Sequence, residues 1–151
     1  MPARNTLLTA ESSTRLLAAA RAARPAAYAP YSGFAVGAAV LARDGRVFCG
    51  VNVENASYGA TLCAERAAAA SAIASGVREI LAVAVVGPGG KPCPPCGICR
   101  QFLVEFGPSM EIILEDGRGG LEVHELAELL PGAFLPQHLD EAGPGETEAE
   151  R

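Results

Sequence analysis

The apolar positions of this 151-residue chain change period several times, and each change marks an element. Over residues 11–23, Leu16, Leu17 and Ala20 recur at helical spacing while Arg15, Arg21 and Arg24 fall mostly off that stripe, which predicts an amphipathic helix. Ser12 or Ser13 is its expected cap, Pro25 blurs its end and Pro30 stops it. Over 34–42 the period drops to two. Phe34, Val36, Ala38 and Val40 alternate with Ala35, Gly37, Ala39 and Leu41, the pattern of a strand with two contrasting faces. Asp44-Gly45 is a hairpin signal, so 46–54 is the returning strand, with Cys49 expected as a small core residue. An alanine-rich helix is predicted over 63–75, ended by Gly76. The run 79–86 is apolar almost throughout and predicts a strand covered on both faces. A further helix over 96–106 packs through Phe102, Leu103 and Phe106 and is ended by Gly107-Pro108. A short strand at 110–114, a turn-rich 116–119 and a helix over 124–130, with Leu126, Leu129 and Leu130 inward, complete the pattern. Residues 120–123 carry only a faint strand signal.

This order of elements reads as an α/β fold of three layers, α/β/α, around a mixed sheet. One domain is expected over 11–136, with residues 1–10 a loose arm. Residues 137–151, rich in Glu, Gly and Pro, are expected to be a disordered acidic tail in which His138 is inert. With 50% hydrophobic and 19% charged residues the chain can bury a core. Its net charge of −5 and scattered basic residues form no basic patch, which argues against a nucleic-acid polymer as partner. The 5 cysteines do not suit a disulfide framework and point to a reducing cytoplasm. The first 13 residues lack the pattern of a signal peptide, and the run 80–86 is too short to span a bilayer. The loop 87–91 fails the phosphate-loop spacing.

The chemistry concentrates in two stretches, Thr61-Leu-Cys-Ala-Glu-Arg66 and Pro92-Cys-Pro-Pro-Cys-Gly-Ile-Cys-Arg-Gln101. Cys96 and Cys99 are three apart, on one side of a first helical turn, a spacing that suits zinc. Cys63 arrives from a separate segment as a third ligand. Glu65 leans over the start of the same helix and is left as an acid/base beside an open coordination position. Three thiolates on a dication leave a formal charge of about −1, a poor acidifier of water. Two helix N-termini, with Arg66 and Arg100 as donors behind the sulfurs, are expected to offset that charge. Three other readings use the same residues. An iron–sulfur run needs a cysteine where Leu103 stands. A redox pair of Cys93 and Cys96 lacks the usual flanking pattern. A closed structural zinc with Cys93 or Cys49 as fourth ligand leaves Glu65 without a task.

Cys63-Ala-Glu65 followed by Pro95-Cys-Gly-Ile-Cys-Arg-Gln101 resembles the zinc signature of the cytidine deaminase family. Tyr28-Ala-Pro-Tyr-Ser-Gly-Phe-Ala-Val-Gly-Ala38, Asn52-Val-Glu-Asn55 and Leu130-Pro-Gly-Ala-Phe134 are similar to that family in its order, so the resemblance covers roughly residues 12–135. Cysteine as the first ligand, where polynucleotide editors have histidine, points to the small free-nucleoside branch. The resemblance implies a five-stranded mixed sheet, with 120–123 as the fifth strand. It implies one Zn2+ per subunit on Cys63, Cys96 and Cys99, with Glu65 catalytic. It implies that Phe34 packs on the pyrimidine, that Asn52 and Glu54 hold the sugar, and that the backbone near Ala64 reads the base edge. Phe134 then covers the base in an adjoining subunit of a homotetramer. The implied reaction is hydrolytic deamination of cytidine and 2′-deoxycytidine, a step of pyrimidine salvage. A deaminase of a cytosine-nucleoside antibiotic of the blasticidin type and a non-enzymatic zinc protein are the alternatives. Without the resemblance, Phe34 and Phe134 read as core and Asn52 and Glu54 as an edge strand facing water. Cys93 has no assigned chemistry, and His124 is expected to face solvent.

Overall fold

The computed structural model describes residues 8–140. Helix α1 (Ala10–Ala23) leads through a short 3-10 turn into strand β1 (Gly37–Ala42), which hairpins into β2 (Val47–Val51). Helix α2 (Ala64–Ala74) follows, then β3 (Ile80–Val86), α3 (Gly97–Val104), β4 (Glu111–Glu115), β5 (Leu121–Glu125), and the short α4 (Leu126–Leu129) and α5 (Gln137–Asp140). The strands form one five-stranded mixed sheet in the order β2-β1-β3-β4-β5. Only β3 and β4 run parallel. A parallel pair needs a crossover, and α3 lies within it.

The period-two pattern sorts the side chains of β3 onto two faces. Ala82, Ala84 and Val86 pack with Leu16, Leu17 and Ala20 of α1, together with Ala39 and Ile113. Val83 and Val85 face the other way, into a cluster with Ala64, Ala68, Ala69 and Ala72 of α2 and Leu103 and Val104 of α3. The result is the expected three-layer α/β arrangement. Alanine lets α2 lie unusually close to the sheet. A Cβ built on Gly50 of β2 would stand 2.3 Å from the Ala68 backbone nitrogen, so glycine is required there for the helix to sit where it does.

Several expected boundaries move, each for a local reason. Thr9, not Ser12 or Ser13, caps α1: its hydroxyl accepts from the Ser12 N–H while the Ser12 hydroxyl accepts from the Thr9 N–H. This reciprocal pair satisfies two orphan donors at once. Strand β1 begins at Gly37 instead of residue 34, because side chains from elsewhere bind the backbone of 34–36. Strand β2 ends at Val51, and Val53 makes isolated bridges to Tyr28 and Leu62. His124 belongs to β5, not to the following helix; the alternation of Leu121, Val123 and Glu125 continues through it, and it pairs with Glu122. Cys49, expected in the core, is exposed on the edge strand β2. The tail expected from residue 137 opens with the exposed helical turn α5. Residues 1–7 of the expected arm and 141–151 of the expected tail lie outside the described residues. No helix among the described residues is long and apolar enough to cross a membrane.

Candidate metal centre and active site

Cys63 is the N-cap of α2 and Cys96 the N-cap of α3, both with extended backbone. Cys99 lies in the first turn of α3 and is fully buried. The three sulfurs lie within 4.8 Å of one another, with Cys63 Sγ and Cys96 Sγ 3.8 Å apart. Zinc–sulfur bonds of about 2.3 Å in a tetrahedron hold sulfurs roughly 3.8 Å apart, so the donor set fits that ion. Two helix N-termini point their partial positive charge at the cluster.

The electrostatics fit the same ion. Hydrogen bonding to Cys99, and then to Arg66, pulls the Cys63 thiol down to about 5. The neighbouring Cys63 and burial push Cys99 up. In the absence of a cation, one thiolate forms readily and holds the next sulfur protonated; a dication removes that conflict. Arg66 donates from Nη2 to the Thr61 carbonyl and to Cys63 Sγ, at 3.3 and 3.6 Å. Its Nε is buried without a partner among the described residues, a cost that nearby thiolate charge offsets. Arg100 spends its guanidinium differently. It donates to the carbonyls of Pro95 and Leu129, at 2.8 and 2.6 Å, and so braces the chain leading into Cys96.

Glu65 sits in the first turn of α2 at 4% exposure, against Cys99. Burial pushes its carboxyl up, which favours the proton-holding form that a proton shuttle needs. Ala64, its neighbour, is fully buried, at the helix start. Four sulfur ligands are not brought together: Cys93 and Cys49 lie outside the cluster formed by Cys63, Cys96 and Cys99.

The remaining expected residues form a rim. Phe34 is 48% exposed and its ring edge borders Gly87. Asn52 is buried, and its amide bonds the backbone of Phe34 and Val36. Glu54 accepts from the backbone N–H groups of Tyr31 and Ser32 and from the Ser32 hydroxyl. It lines a cavity of about 300 Å³ with Tyr31, Ser32, Asn55, Tyr58 and Thr61. Tyr31 and Tyr58 meet edge to face there. Ser32 and Tyr58 have no role in the sequence reading; Ser32 stands inside the motif that carries Phe34, whereas Tyr58 lies three residues past Asn55, outside the motif that carries Glu54. Phe134 is exposed, its carbonyl held by Gln101 and its ring against His138. A larger groove, between the start of α1 and β5, holds none of these residues.

A family profile for the cytidine and deoxycytidylate deaminase zinc-binding region matches residues 10–115. A cytidine deaminase of Halalkalibacterium halodurans is 47% identical over 120 residues, 79% of this chain and 91% of the relative. One of Mycobacterium tuberculosis is 49% identical over 108 residues, 72% of this chain and 78% of the relative. Among solved structures, the cytidine deaminase of Burkholderia pseudomallei superposes with a TM-score of 0.75 at 52% identity, covering 80% of this chain and 98% of that one. The matched region contains the sulfur cluster and the buried glutamate, and on these grounds the chain belongs to the cytidine deaminase family of zinc-dependent hydrolytic enzymes.

Proposed function

We propose that this chain hydrolyses the C4 amine of cytidine and 2′-deoxycytidine, consuming water and yielding uridine or 2′-deoxyuridine and ammonia. The observation that carries the reading is the buried Glu65 beside three converging sulfurs at two helix starts. Cys63, Cys96 and Cys99 hold one zinc per subunit, which when bound supplies a Lewis acid that acidifies water near neutral pH. Glu65 takes the proton of the attacking water, passes it to ring N3 and then serves the leaving amine. The burial that raises Glu65 suits both halves of that shuttle. Arg66 offsets the sulfur charge, while Arg100 holds the approach to Cys96.

Phe34 offers its half-exposed ring to the flat face of the pyrimidine. The backbone at Ala64 meets the polar edge of the base. Asn52 and Glu54 hold the sugar. Asn52 retains one N–H and one lone pair beyond its backbone bonds, and Glu54 has one further acceptor position beside its three donors. Phe134, exposed on the single chain, covers the base of an adjoining subunit in a homotetramer. An enzyme of this kind serves pyrimidine salvage in the cytoplasm.

The test is loss of cytidine absorbance by purified protein, with zinc quantified on the same sample. Glu65→Gln keeps the metal and the fold but lowers turnover by about 10²-fold or more. Near-normal activity in that variant rejects the role given to Glu65. Turnover of a cytosine-nucleoside antibiotic in preference to cytidine rejects the substrate.

A further inference from the structure

The segment 34–36 that carries Phe34 precedes β1 and lies outside the regular strands. Side chains hold most of it, with one backbone bond from the Asn52 N–H to the Val36 carbonyl at 3.3 Å. Asn52 Nδ2 donates to the Phe34 carbonyl at 2.8 Å, and Asn52 Oδ1 accepts from the Val36 N–H at 2.9 Å. The Ser32 hydroxyl accepts from the Phe34 N–H at 2.9 Å. Between them, Arg24 Nε donates to the Ala35 carbonyl at 2.8 Å. Arg24 makes no ion pair among the described residues. A cation spent on a neutral carbonyl, without a carboxylate beside it, needs a reason other than charge pairing.

The approach is built into the packing. A Cβ on Gly37 would stand 2.1 Å from the Ala20 carbonyl and 2.7 Å from the Arg24 nitrogen, so glycine there admits the end of α1 against β1. That contact delivers Arg24 to Ala35. On the other side, a Cβ on Gly87 would meet Phe34 Cε1 at 3.6 Å and Cys93 Sγ at 2.9 Å. The ring therefore stands between a bare backbone on one side and a tethered one beneath it.

We propose that Arg24 is a positioning residue for the reaction: by holding the Ala35 carbonyl it sets the direction in which Phe34 presents its ring. It governs affinity for the pyrimidine without touching it. The assignment rests on the reading of Phe34 as the base contact. A hydrogen bond from a charged donor is stronger than a neutral one and restrains the backbone on both sides of the peptide.

The experiment compares R24M, R24K, F34A and R24M/F34A in the zinc-loaded enzyme, measuring cytidine KM, kcat, zinc content and melting midpoint. R24M keeps most of the stem and removes the donors; its KM rises about tenfold, the scale of one base–aromatic contact, with kcat within about twofold and zinc unchanged. R24K keeps a charged donor and lies between R24M and the parent. F34A alone raises KM at least as much, and adding R24M to it changes nothing more, because Arg24 acts through that ring. A parental KM in folded R24M overturns the proposal. So does a multiplicative double variant, and so does a fall in zinc or kcat, which would make Arg24 a general structural residue. If F34A leaves KM unchanged, the reading of Phe34 fails and Arg24 falls with it. If F34A raises KM and R24M does not, only the role of Arg24 fails.

Discussion

Replacing Gly50 by alanine tests how tightly the helix that carries Cys63 and Glu65 is seated. The added carbon would stand 2.3 Å from Ala68 N, 2.7 Å from the Ala64 carbonyl oxygen and 2.9 Å from the Ala67 carbonyl carbon. All three are backbone atoms, so no rotamer change relieves the overlap. Ordinary contact begins at 3.4 Å, and α2 must retreat by about 1 Å to reach it. At about 1.5 Å per residue this 11-residue helix is roughly 16 Å long. Lifted by about 1 Å over a strip about 8 Å wide, it opens on the order of 130 Å³, a cost of about 3 kcal/mol at about 24 cal/mol per Å³. A chain of this size then melts roughly 6–12 °C lower. The same retreat moves Cys63 away from Cys96 and Cys99 by far more than the ~0.2 Å that metal–ligand distances tolerate, so zinc affinity falls as well. Thermal melts of zinc-loaded protein, with metal content measured alongside, give both readouts. Gly59→Ala is the control: a Cβ there meets nothing within 4 Å, and the midpoint stays within about 2 °C of the parent. If Gly50→Ala melts with the control and keeps its zinc, the helix is not seated as described.

Thr9→Ala removes the reciprocal cap of α1 and costs about 1 kcal/mol, read as a midpoint lower by roughly 2–4 °C; an unchanged midpoint refutes the cap. Asp116 is held below the usual carboxylate range by the backbone N–H groups of Arg118 and Gly120. A depressed folded value contributes stability above the unfolded value and loses it as pH falls through the folded one, so Asp116→Asn flattens the stability profile only below about pH 4. A profile changed near neutrality contradicts that assignment. Burial pushes the Cys93 thiol up to about 11 while Cys63 lies at about 5. In metal-free protein at neutral pH, iodoacetamide therefore labels Cys63 well ahead of Cys93, as peptide mapping records; equal labelling sinks the prediction.

Much of this arrangement is legible in the residues themselves. The unbroken apolar run at 80–86 marks the central strand because both of its faces are covered by helices. The cysteine spacing places Cys96 and Cys99 on one helical turn, and the sulfurs do converge. What period and spacing do not reveal is which side chain answers a particular backbone group. The alternation through Phe34 and Val36 suggests a strand, yet the side chains of Arg24, Ser32 and Asn52 take up most of that stretch of backbone, and one backbone bond, from the Asn52 N–H to the Val36 carbonyl, joins it to the neighbouring segment. Thr9 is hidden as a cap because its partner is a serine, and Ser12 looks like the cap itself. Cys49 reads as core because pattern alone cannot tell an edge strand from an inner one.

Neither Cys63 nor Cys96 bonds its side chain to the free N–H groups of its own helix. A serine or aspartate in those places contributes roughly 1 kcal/mol to each helix start, and the sulfurs forgo that by turning toward one another. The opening turns of α2 and α3 thus depend on an occupant between them for the hold that a conventional residue would provide. The amides of Ala64, Gly97 and Ile98 become a gauge of loading, exchanging with solvent quickly in a metal-starved chain and slowly in a filled one. Scarcity of zinc then registers first as fraying at these two points, well before the sheet loosens.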